Sequence, residues 1–501
     1  MGTIASVANK SYTCPICVGG KWINSTGRTE TLLNPATGEA ITVVPHCTAE
    51  EVGAAVGAAH AAFESWRQVP VPERAQYMFR YRELLVAHAE EIAALITLEH
   101  GKTLDESRGS LGRGIEAVEF ACSIPTLMKG ETITDISNGI DSTAMRQPIG
   151  VCVGIPPFNF PAMVPMWMFP IAIACGNTFV MKPSERVPRT VVRLIELLYE
   201  TGLPAGVCNL VHGGKEVVDA LLTDPRVKAV SFVGSTPVAK AIYEKAAANG
   251  KRVQAMGGAK NHLVVMPGCD MKAAAKAILG AAFGCSGQRC LATSVVVAVG
   301  EAGDPLVREL AEAVDKISLG TGSHPQTHMG PVISAAARER IVSYIGVGKS
   351  EGAVLVRDGR GAKPHDDTAG YYVGPTIFDK VRPEMRIAKE EIFGPVLAVV
   401  RAKNLDEAID VVNSSAFGNA TSVFTASGAE AREYASRVQV GMVGVNVGVP
   451  SPAAYLPFAG WKGSFFGDLH ALGKDAVQFY TETKVVTSRW PAHDKEHKIT
   501  F

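Results

Sequence analysis

The sequence predicts an α/β protein built on parallel β-sheets, and two patterns along the chain support this. Between about residues 50 and 122, helical periodicity dominates, as in AEEVGAAVGAAHAAFESWR and in PERAQYMFRYRELLVAHAEEIAALITLEHG, a helix that Gly101 is expected to end. From residue 150 onward, short apolar strands alternate with helices through glycine-rich turns. Such alternation is typical of βαβ units, in which successive strands pair in parallel.

The strand–helix pairs follow one another along the chain. GVCVGI precedes an apolar helix, NTFVMKPS precedes RTVVRLIELLYETG, and VKAVSFVG precedes STPVAKAIYEKAAANGK. A second alternating region begins near residue 262 and runs to about residue 460. Two β-prone stretches lie apart from this alternation, ETITDISNGIDSTAMRQP and the tail DAVQFYTETKVVTSRW. We expect these two strands to pair with each other or with another subunit.

Composition excludes several classes of function. The chain has 501 residues, enough for a large core and about two to four domains. Lys+Arg and Asp+Glu both number 49, so no net charge favours nucleic acid or an anionic membrane. The most apolar segment, residues 151–181, contains five prolines and is therefore expected to be buried strand, loop and helix rather than a membrane span.

The N-terminus and the cysteines bear on compartment and metal. No secretory signal or Arg-rich presequence is evident, and MGTIAS matches the loose N-myristoylation pattern without the basic patch that stable anchoring needs. Ten cysteines in so long a chain do not form a disulfide framework, so a reducing compartment is expected. Cys14 and Cys17 form a lone CxxC without a second ligand pair, and no metal site is predicted.

Two motifs are suited to a nucleotide. In SFVGSTPVAK a strand ends at Gly234 and a helix opens with Ser235. The N–H groups of the helix start and the Ser235 hydroxyl could bind a pyrophosphate, or Ser235 could simply cap the helix. In NTFVMKPSER, Lys182, Glu185 and Arg186 follow the end of another strand. These three residues could hold a ribose, or they could form an ion pair in a solvated loop.

Two further motifs are suited to covalent chemistry. GIPPFNFPAM places Asn159 in an apolar environment, where its amide could donate to an oxyanion or satisfy the backbone of a turn. FGCSGQRCLA places Cys290 directly after Arg289, where a helix is expected to begin. A thiol at such a position would have a lowered pKa, whereas a buried inert cysteine is the alternative. Cys285 lacks the arginine neighbour and is expected to serve packing.

The order of PFNFP, MKPSE, FVGST, GGAK, GQRC and EEIFGPV resembles that of the aldehyde dehydrogenase family over essentially the whole chain. PFNFPAM, GAKNH and GQRC are most similar to the CoA-acylating methylmalonate-semialdehyde dehydrogenases. The resemblance implies an aldehyde dehydrogenase-like α/β fold with two Rossmann-type domains and a small β oligomerisation flap. The implied segments are an NAD-binding domain at 1–128 and 149–258, a catalytic domain at 259–460, and a flap at 129–148 and 475–495.

The resemblance also implies roles for individual residues. Cys290 would be the nucleophile, and Asn159 with the Cys290 backbone N–H would form the oxyanion hole. A carboxylate at Glu185 would repel a 2′-phosphate, which favours NAD over NADP. The residues implied to contact NAD are Pro156, Phe158, Lys182, Glu185, Arg186, Ser235, Gly257, Glu391 and Phe393.

One position departs from the hydrolytic members of the family. Where they carry a glutamate base in an E-L-G-G-K turn, QAMGGAKNH places Met256. A thioether cannot take a proton from water, so a thioester on Cys290 would lack its usual base for hydrolysis. CoA is therefore implied as the acyl acceptor, as in the relatives that carry Asn or Met here. A hydrolytic semialdehyde dehydrogenase and a non-catalytic relative are the two alternatives.

The expected substrate is malonate or methylmalonate semialdehyde, with acetyl-CoA or propionyl-CoA as product. Arg289 stays protonated and cannot act as a base, but it can bind the substrate carboxylate through two hydrogen bonds. Arg113 in LGRGIEAVEF matches the second arginine that the family places near the nucleophile, and Arg108 is a surface alternative. A homodimer or homotetramer is implied, in a bacterial cytoplasm or, alternatively, a mitochondrial matrix.

Overall fold

Parallel strands form two large sheets in the computed structural model, which describes residues 12–490. The strands are β1 (Ile16–Val18), β2 (Lys21–Ile23), β3 (Thr29–Leu33), β4 (Ala40–Pro45), β5 (Glu131–Ser137), β6 (Ile140–Pro148), β7 (Val151–Ile155), β8 (Thr178–Met181), β9 (Cys208–Leu210), β10 (Val227–Val233), β11 (Arg252–Met256), β12 (Asn261–Val265), β13 (Thr293–Val299), β14 (Val354–Arg357), β15 (Thr376–Val381), β16 (Val396–Ala402), β17 (Phe417–Gly418), β18 (Ala420–Phe424), β19 (Met442–Val445), β20 (Trp461–Lys462), β21 (Phe465–Phe466) and β22 (Thr481–Arg489).

Helices cover the faces of these sheets. They are α1 (Ala49–Trp66), α2 (Val71–Ala87), α3 (Ala89–His100), α4 (Leu104–Cys122), α5 (Ile124–Leu127), α6 (Met163–Ala174), α7 (Pro188–Glu200), α8 (Lys215–Thr223), α9 (Thr236–Ala248), α10 (Met271–Phe283), α11 (Gly303–Val314), α12 (Ala335–Ser350), α13 (Arg386–Lys389), α14 (Leu405–Asn413), α15 (Gly428–Arg437) and α16 (Gly473–Phe479), with short 3₁₀ turns at Gly284–Gly287 and Gly300–Ala302.

The first sheet has eight strands in the order β2-β1-β9-β8-β7-β10-β11-β21. Its centre, from β9 to β11, is parallel, while β1, β2 and β21 add antiparallel edges. β7, β8 and β10 are largely or wholly buried, as continuous apolar runs in a parallel sheet should be. Because parallel strands end at the same edge of a sheet, the loops after β7, β8, β10 and β11 meet there.

The second sheet has seven strands in the order β14-β15-β16-β13-β12-β18-β19, all parallel except the edge strand β14. The α/β class with parallel sheets is therefore confirmed. The boundaries between the expected cofactor and catalytic domains stay a prediction.

The two β-prone stretches outside the alternation pair with each other. β22 runs antiparallel to β6 from Thr481↔Pro148 to Arg489↔Ile140, and β6 also pairs with β5. Every residue of β5 is exposed, and Ile133 and Val485 are large apolar side chains in contact with solvent. The last residues of the tail, 491–495, lie outside the described residues.

Two expected elements differ from the structure. The long helical pattern ending at Gly101 is two helices, α2 and α3, because His88 leaves the helical region with φ −102° and ψ 17°. Gly101 does end α3, with φ 88°. The first residues of the tail form α16 rather than a strand, and the strand begins only at Thr481.

The apolar segment 151–181 is interior strand and helix. α6 is buried along its whole length and contacts α4 on one side and the first sheet on the other. Among residues 12–490, no helix combines the length and the apolarity that crossing a bilayer would require. The expected N-myristoylation pattern at MGTIAS falls outside the described residues.

Candidate active site

A deep cleft opens at the edge where the parallel strands of the first sheet end. Its volume is about 1220 Å³, above the roughly 300–1,000 Å³ typical of pockets for drug-sized ligands, so it can hold an extended molecule such as a dinucleotide. Residues from the loops after β7, β8, β10 and β11 line it together with the segment around Cys290. The residues singled out from the sequence that line this cleft are Pro156, Phe158, Asn159, Lys182, Glu185, Arg186, Ser235, Gly257, Cys290, Glu391 and Phe393.

Cys290 follows an unusual backbone turn. Cys285, Ser286 and Gly287 have φ values of 50°, 55° and 70°, three consecutive residues in the left-handed region that non-glycine residues rarely adopt. Cys290 itself lies in a turn before β13, so the expected helix start at this residue is wrong. Its carbonyl oxygen accepts hydrogen bonds from the side-chain amides of Asn261 (2.8 Å) and Asn419 (3.0 Å), which hold the backbone of the nucleophile.

The expected lowering of the Cys290 pKa is also wrong. Burial raises the pKa of this thiol to about 12, and the charge of Glu391 adds to the rise. The positive charge of Arg289 lowers the pKa of Cys290 only weakly, because the guanidinium is directed away from the thiol. Its Nε donates to the carbonyl of Gly284 (3.0 Å) and its Nη2 to the carbonyl of Gly280 (2.6 Å). With no helix N-terminus at the thiol and no free cation beside it, the neutral form predominates in the unliganded protein.

This pKa gives a direct pH prediction. A raised pKa keeps the thiolate a minor species throughout the neutral range, so its population should grow about tenfold for each pH unit until the pKa is approached. We expect the rate of Cys290 alkylation by iodoacetamide, measured without cofactor by peptide mass spectrometry, to rise continuously from pH 7 to pH 10. A plateau below pH 8 would show an activated thiolate and contradict the raised pKa.

Asn159 lies across the same cleft from a different strand loop. It is only 3% exposed, and its Nδ2 donates to the carbonyl of Gln288 at 2.9 Å, two residues before Cys290. A side-chain amide has two N–H donors, so this bond leaves one for a ligand. The structure thus brings the predicted oxyanion donor and the predicted nucleophile into one cleft.

Lys182 and Glu185 form an ion pair at the end of β8. Lys182 is buried, and its Nζ donates to the carbonyl of Gly213 (2.8 Å) and to Glu185 (3.2 Å). Burial lowers the pKa of Lys182, although the carboxylate of Glu185 opposes this. Burial would raise the pKa of Glu185, but Lys182 and nearby hydrogen bonds outweigh it and the net shift is downward. A carboxylate therefore faces the cleft beside the ammonium.

The loops after β10 and β11 allow a close approach to the backbone. Ser235 precedes α9 as its N-cap, and its side chain makes no capping hydrogen bond, so its hydroxyl is available in the cleft. A Cβ on Gly257 would lie 2.7 Å from the carbonyl oxygen of Gly463 and 2.9 Å from Oγ1 of Thr236. Only glycine fits at residue 257.

Glu391 and Phe393 reach the cleft from the segment before β16. Glu391 accepts the backbone N–H of Ala259 at 2.9 Å, and burial raises the pKa of its carboxyl group. Phe393 meets Phe158 edge to face, with ring centroids 5.9 Å apart and an interplanar angle of 85°. The two rings, from different sheets, frame the cleft near Cys290.

Met256 ends β11 and is buried in the apolar core, outside the lining of the cleft. The carboxylates that do line the cleft are engaged elsewhere. Glu185 pairs with Lys182, Asp219 pairs with Lys215 and Lys245, Glu390 pairs with Arg386, and Glu391 accepts from Ala259. No carboxylate therefore occupies the position of the hydrolytic base.

The two predicted substrate arginines are not among the residues that line the cleft. Arg113 on α4 is half-buried and donates to both carboxylate oxygens of Glu116 and to the carbonyl of Pro452. Arg289 binds the carbonyls that follow α10, as described above. Arg108 is a surface residue paired with Glu90 and Asp105. A carboxylate-binding role for Arg113 and Arg289 stays a prediction.

Sequence reasoning gave no role to several polar residues around the nucleophile. Asn261 lies within GAKNH, which was noted only as a family signature, yet its amide holds the Cys290 carbonyl. Asn419 also donates to the Cys290 carbonyl, whereas the side-chain oxygen of Gln288 accepts the backbone N–H of Ile333. Lys102 follows Gly101, the expected helix stop, and no role for it was predicted.

Cys14 and Cys17 are both buried against the first sheet. Burial raises the pKa of both thiols, that of Cys17 to about 11. Burial therefore disfavours the thiolate form of both cysteines.

Comparison with known proteins places the chain among aldehyde-oxidising enzymes. The aldehyde dehydrogenase family model matches residues 22–486. A malonate-semialdehyde dehydrogenase of Geobacillus kaustophilus is 54% identical over 474 residues, which cover 94% of this chain and 98% of that protein. A second, from Halalkalibacterium halodurans, is 52% identical over 474 residues, covering 94% and 97%.

Solved structures agree with this. The crystal structure of methylmalonate-semialdehyde dehydrogenase from Oceanimonas doudoroffii is 50% identical, with a TM-score of 0.95 over 96% of this chain and 99% of that one. The structure of a putative methylmalonate-semialdehyde dehydrogenase from Sinorhizobium meliloti, complexed with NAD, is 46% identical, with a TM-score of 0.95 over 97% and 99%.

Proposed function

The chain belongs to the aldehyde dehydrogenase family, and from this premise we propose that it oxidises malonate or methylmalonate semialdehyde with NAD and transfers the decarboxylated acyl group to CoA. The products would be acetyl-CoA and propionyl-CoA. The observation that carries the proposal is the pairing of Cys290 and Asn159 in one cleft together with a buried methionine, Met256, where hydrolytic relatives have a base. Named relatives that act on these semialdehydes support it.

Cys290 and Asn159 carry the first step. The sulfur of Cys290 attacks the aldehyde carbon, and the carbonyl oxygen becomes an oxyanion that accepts from the free N–H of Asn159 Nδ2 and from the Cys290 backbone N–H. Asn261 and Asn419 fix the Cys290 carbonyl and thereby the orientation of the following peptide. Because the raised pKa keeps the resting thiol protonated, its proton passes to solvent water as the sulfur attacks.

The cleft fits NAD, which supplies a hydride acceptor when bound. Lys182 and Glu185 are placed for the adenosine ribose, with Arg186 beside them, and the carboxylate of Glu185 disfavours a 2′-phosphate. The free hydroxyl of Ser235 at the start of α9 suits the pyrophosphate, and Gly257 leaves room for it. Pro156 and Phe158 would line one side of NAD, Glu391 would hold the nicotinamide ribose, and Phe393 would lie behind the ring.

Acyl transfer follows from the chemistry of a β-carboxy thioester. Oxidation leaves a malonyl-type thioester on Cys290, and loss of CO₂ gives an enolate that the same oxyanion hole stabilises. Protonation of the enolate carbon yields the acetyl or propionyl thioester. The thiolate of CoA then attacks that thioester and releases Cys290, a step that needs no base once the attacking thiol is ionised.

Arg289 and Arg113 are proposed to bind the substrate carboxylate, exchanging their present partners for it. Replacing either arginine by Leu should lower kcat/KM for malonate semialdehyde by about 30- to 1,000-fold, since a charge-assisted bidentate contact is worth roughly 2–4 kcal/mol. Propanal, which has no carboxylate, should be oxidised by the variants nearly as well as by the wild type. The measurement is steady-state NADH formation with both aldehydes. Equal losses on the two aldehydes would assign these arginines to the fold, where Arg289 already binds Gly280 and Gly284.

The alternatives lose support at specific residues. A hydrolytic dehydrogenase would need a base at residue 256, which is a methionine here. A non-catalytic relative would have no need of a cysteine and an amide in the cleft, yet Cys290 and Asn159 both line it. NADH formation from malonate semialdehyde with and without CoA tests the proposal against both.

Assembly and location are part of the proposal. The three-stranded sheet of β5, β6 and β22 exposes the apolar side chains of Ile133, Ile136 and Val485, and we propose that it joins subunits in a homodimer or homotetramer. The segments 129–148 and 475–495 would form this flap, with 1–128 and 149–258 as the NAD domain and 259–460 as the catalytic domain.

Since the curated relatives above come from bacteria, a bacterial cytoplasm is the proposed location, with a mitochondrial matrix as the alternative.

A further inference from the structure

Lys102 places a buried ammonium directly beneath the loop that carries Asn159. The residue lies between α3 and α4 and is 1% exposed. Its Nζ donates to the backbone carbonyl oxygen of Asn159 at 2.6 Å and lies 4.1 Å from the ring centroid of Phe160. Both contacts belong to the same loop after β7.

The environment of this ammonium is unusual for a charged group. Among residues 12–490, Lys102 forms no ion pair with a carboxylate; a carbonyl oxygen, an aromatic face and the side chain of Cys285 surround it instead. Burying a cation without a counter-ion is costly, so every remaining contact of the ammonium has to be strong and well aligned. The carbonyl of Asn159 is consequently held by a short, charge-assisted hydrogen bond.

The residues that follow Lys102 also contact the turn that precedes Cys290. Glu106, in the first turn of α4, accepts the backbone N–H of Thr103 (3.0 Å) and that of Cys285 (2.6 Å). Cys285 begins the left-handed turn that leads to Gln288, whose carbonyl accepts from Asn159 Nδ2. Asn159 is therefore fixed twice, through its main-chain oxygen by Lys102 and through its side chain by the turn that Glu106 anchors.

We propose that Lys102 is a positioning residue for the oxyanion hole. Its ammonium fixes the peptide of Asn159 so that the remaining N–H of the side chain points to the oxyanion. The inference rests on the proposed function in taking Asn159 as the oxyanion donor. Lys102 does not line the cleft, so it acts through Asn159 and not on the substrate or NAD.

The test compares Lys102→Met with Lys251→Met. Lys251 is a matched control because it too is buried, at 6% exposed, and its Nζ bonds only the backbone carbonyls of Asp224 (2.6 Å) and Val227 (3.0 Å), away from the cleft. Rapid mixing of enzyme, NAD and aldehyde gives the rate of the first NADH turnover. Loss of a direct oxyanion donor costs about 10²–10³-fold, so loss of its support in Lys102→Met should slow this step by about 10- to 100-fold.

Two further readouts separate positioning from folding. NAD affinity and the alkylation rate of Cys290 by iodoacetamide should be the same in Lys102→Met as in wild type, because neither depends on the oxyanion. A first-turnover rate slowed no more than in Lys251→Met would overturn the proposal. A fall of the first-turnover rate, the NAD affinity and the Cys290 alkylation rate together would also overturn it, since that pattern indicates that the turn before Cys290 has lost its structure.

A second variant covers the case in which Lys102→Met folds poorly. Lys102→Ala leaves space for propylammonium, which should raise the first-turnover rate of this variant and leave Lys251→Ala unchanged; equal responses would contradict the proposal. All comparisons are made with both malonate semialdehyde and propanal. If the wild type reacts only with propanal, the proposed substrate is wrong, and the propanal data still decide the role of Lys102.

Discussion

Replacing Cys290 by alanine is expected to abolish NADH formation, with a loss of at least about 10⁴-fold in kcat, the scale seen when a covalent nucleophile is removed. Cys290 is the one cysteine among the described residues that line the cleft, and a thioester intermediate requires a thiol. Binding of NAD, measured by fluorescence titration, should be unchanged, since the residues proposed to hold its adenosine ribose, Lys182 and Glu185, lie on a different loop from Cys290. Near-normal turnover by Cys290→Ala would refute the assignment.

Cys285→Ala is the matched control for that experiment. Cys285 is five residues earlier in the same segment, and burial raises the pKa of its thiol. It packs within the turn, and the bond to Glu106 uses its backbone N–H rather than its sulfur. Turnover by Cys285→Ala should remain close to that of the wild type, so a loss specific to residue 290 reports chemistry rather than disruption of the turn.

The parallel sheets and the cleft residues were predictable because their signals are local. Continuous apolar strands such as GVCVGI, each followed by a turn and a helix, are typical of a buried parallel sheet. Loops that follow parallel strands meet at one edge, so MKPSE, FVGST and PFNFP were expected together, and the structure places them in one cleft.

The nucleophile turn was not predictable in the same way. FGCSGQRCLA was expected to lead into a helix at Cys290, but Cys285 and Ser286 adopt left-handed backbone angles that their residue types disfavour. Tertiary contacts maintain them: Glu106 binds the Cys285 N–H, and the hydroxyl of Ser286 donates to the carbonyl of Gly330 at 2.6 Å. These partners are far away in sequence, and so is Glu391, whose charge adds to the effect of burial in raising the Cys290 pKa.

Side-chain direction was the second limit. Arg289 was expected to face the substrate because it precedes Cys290, but a sequence neighbour can point to either side of a turn. In the structure its guanidinium binds the carbonyls of Gly280 and Gly284 at the C-terminal end of α10. The break at His88 was missed for a related reason, since neither glycine nor proline marks it and the apolar periodicity continues through it.

The central claim is that the acyl group leaves Cys290 to CoA and not to water. With Met256 in place of a base, hydrolysis should lack the roughly 10²–10⁴-fold that general base catalysis contributes. Enzyme, NAD and malonate semialdehyde without CoA should therefore give a burst of NADH near one equivalent per active subunit, followed by a slow steady state.

The decisive measurement is the steady-state rate of NADH formation from malonate semialdehyde, with and without CoA, alongside identification of the product. We predict that CoA raises this rate by about 100-fold or more, given the size of the missing base contribution, and that acetyl-CoA and CO₂ are formed in the same cycle. A steady rate that does not respond to CoA, with a free acid as the product, would contradict the account and show that another residue supplies the base for hydrolysis.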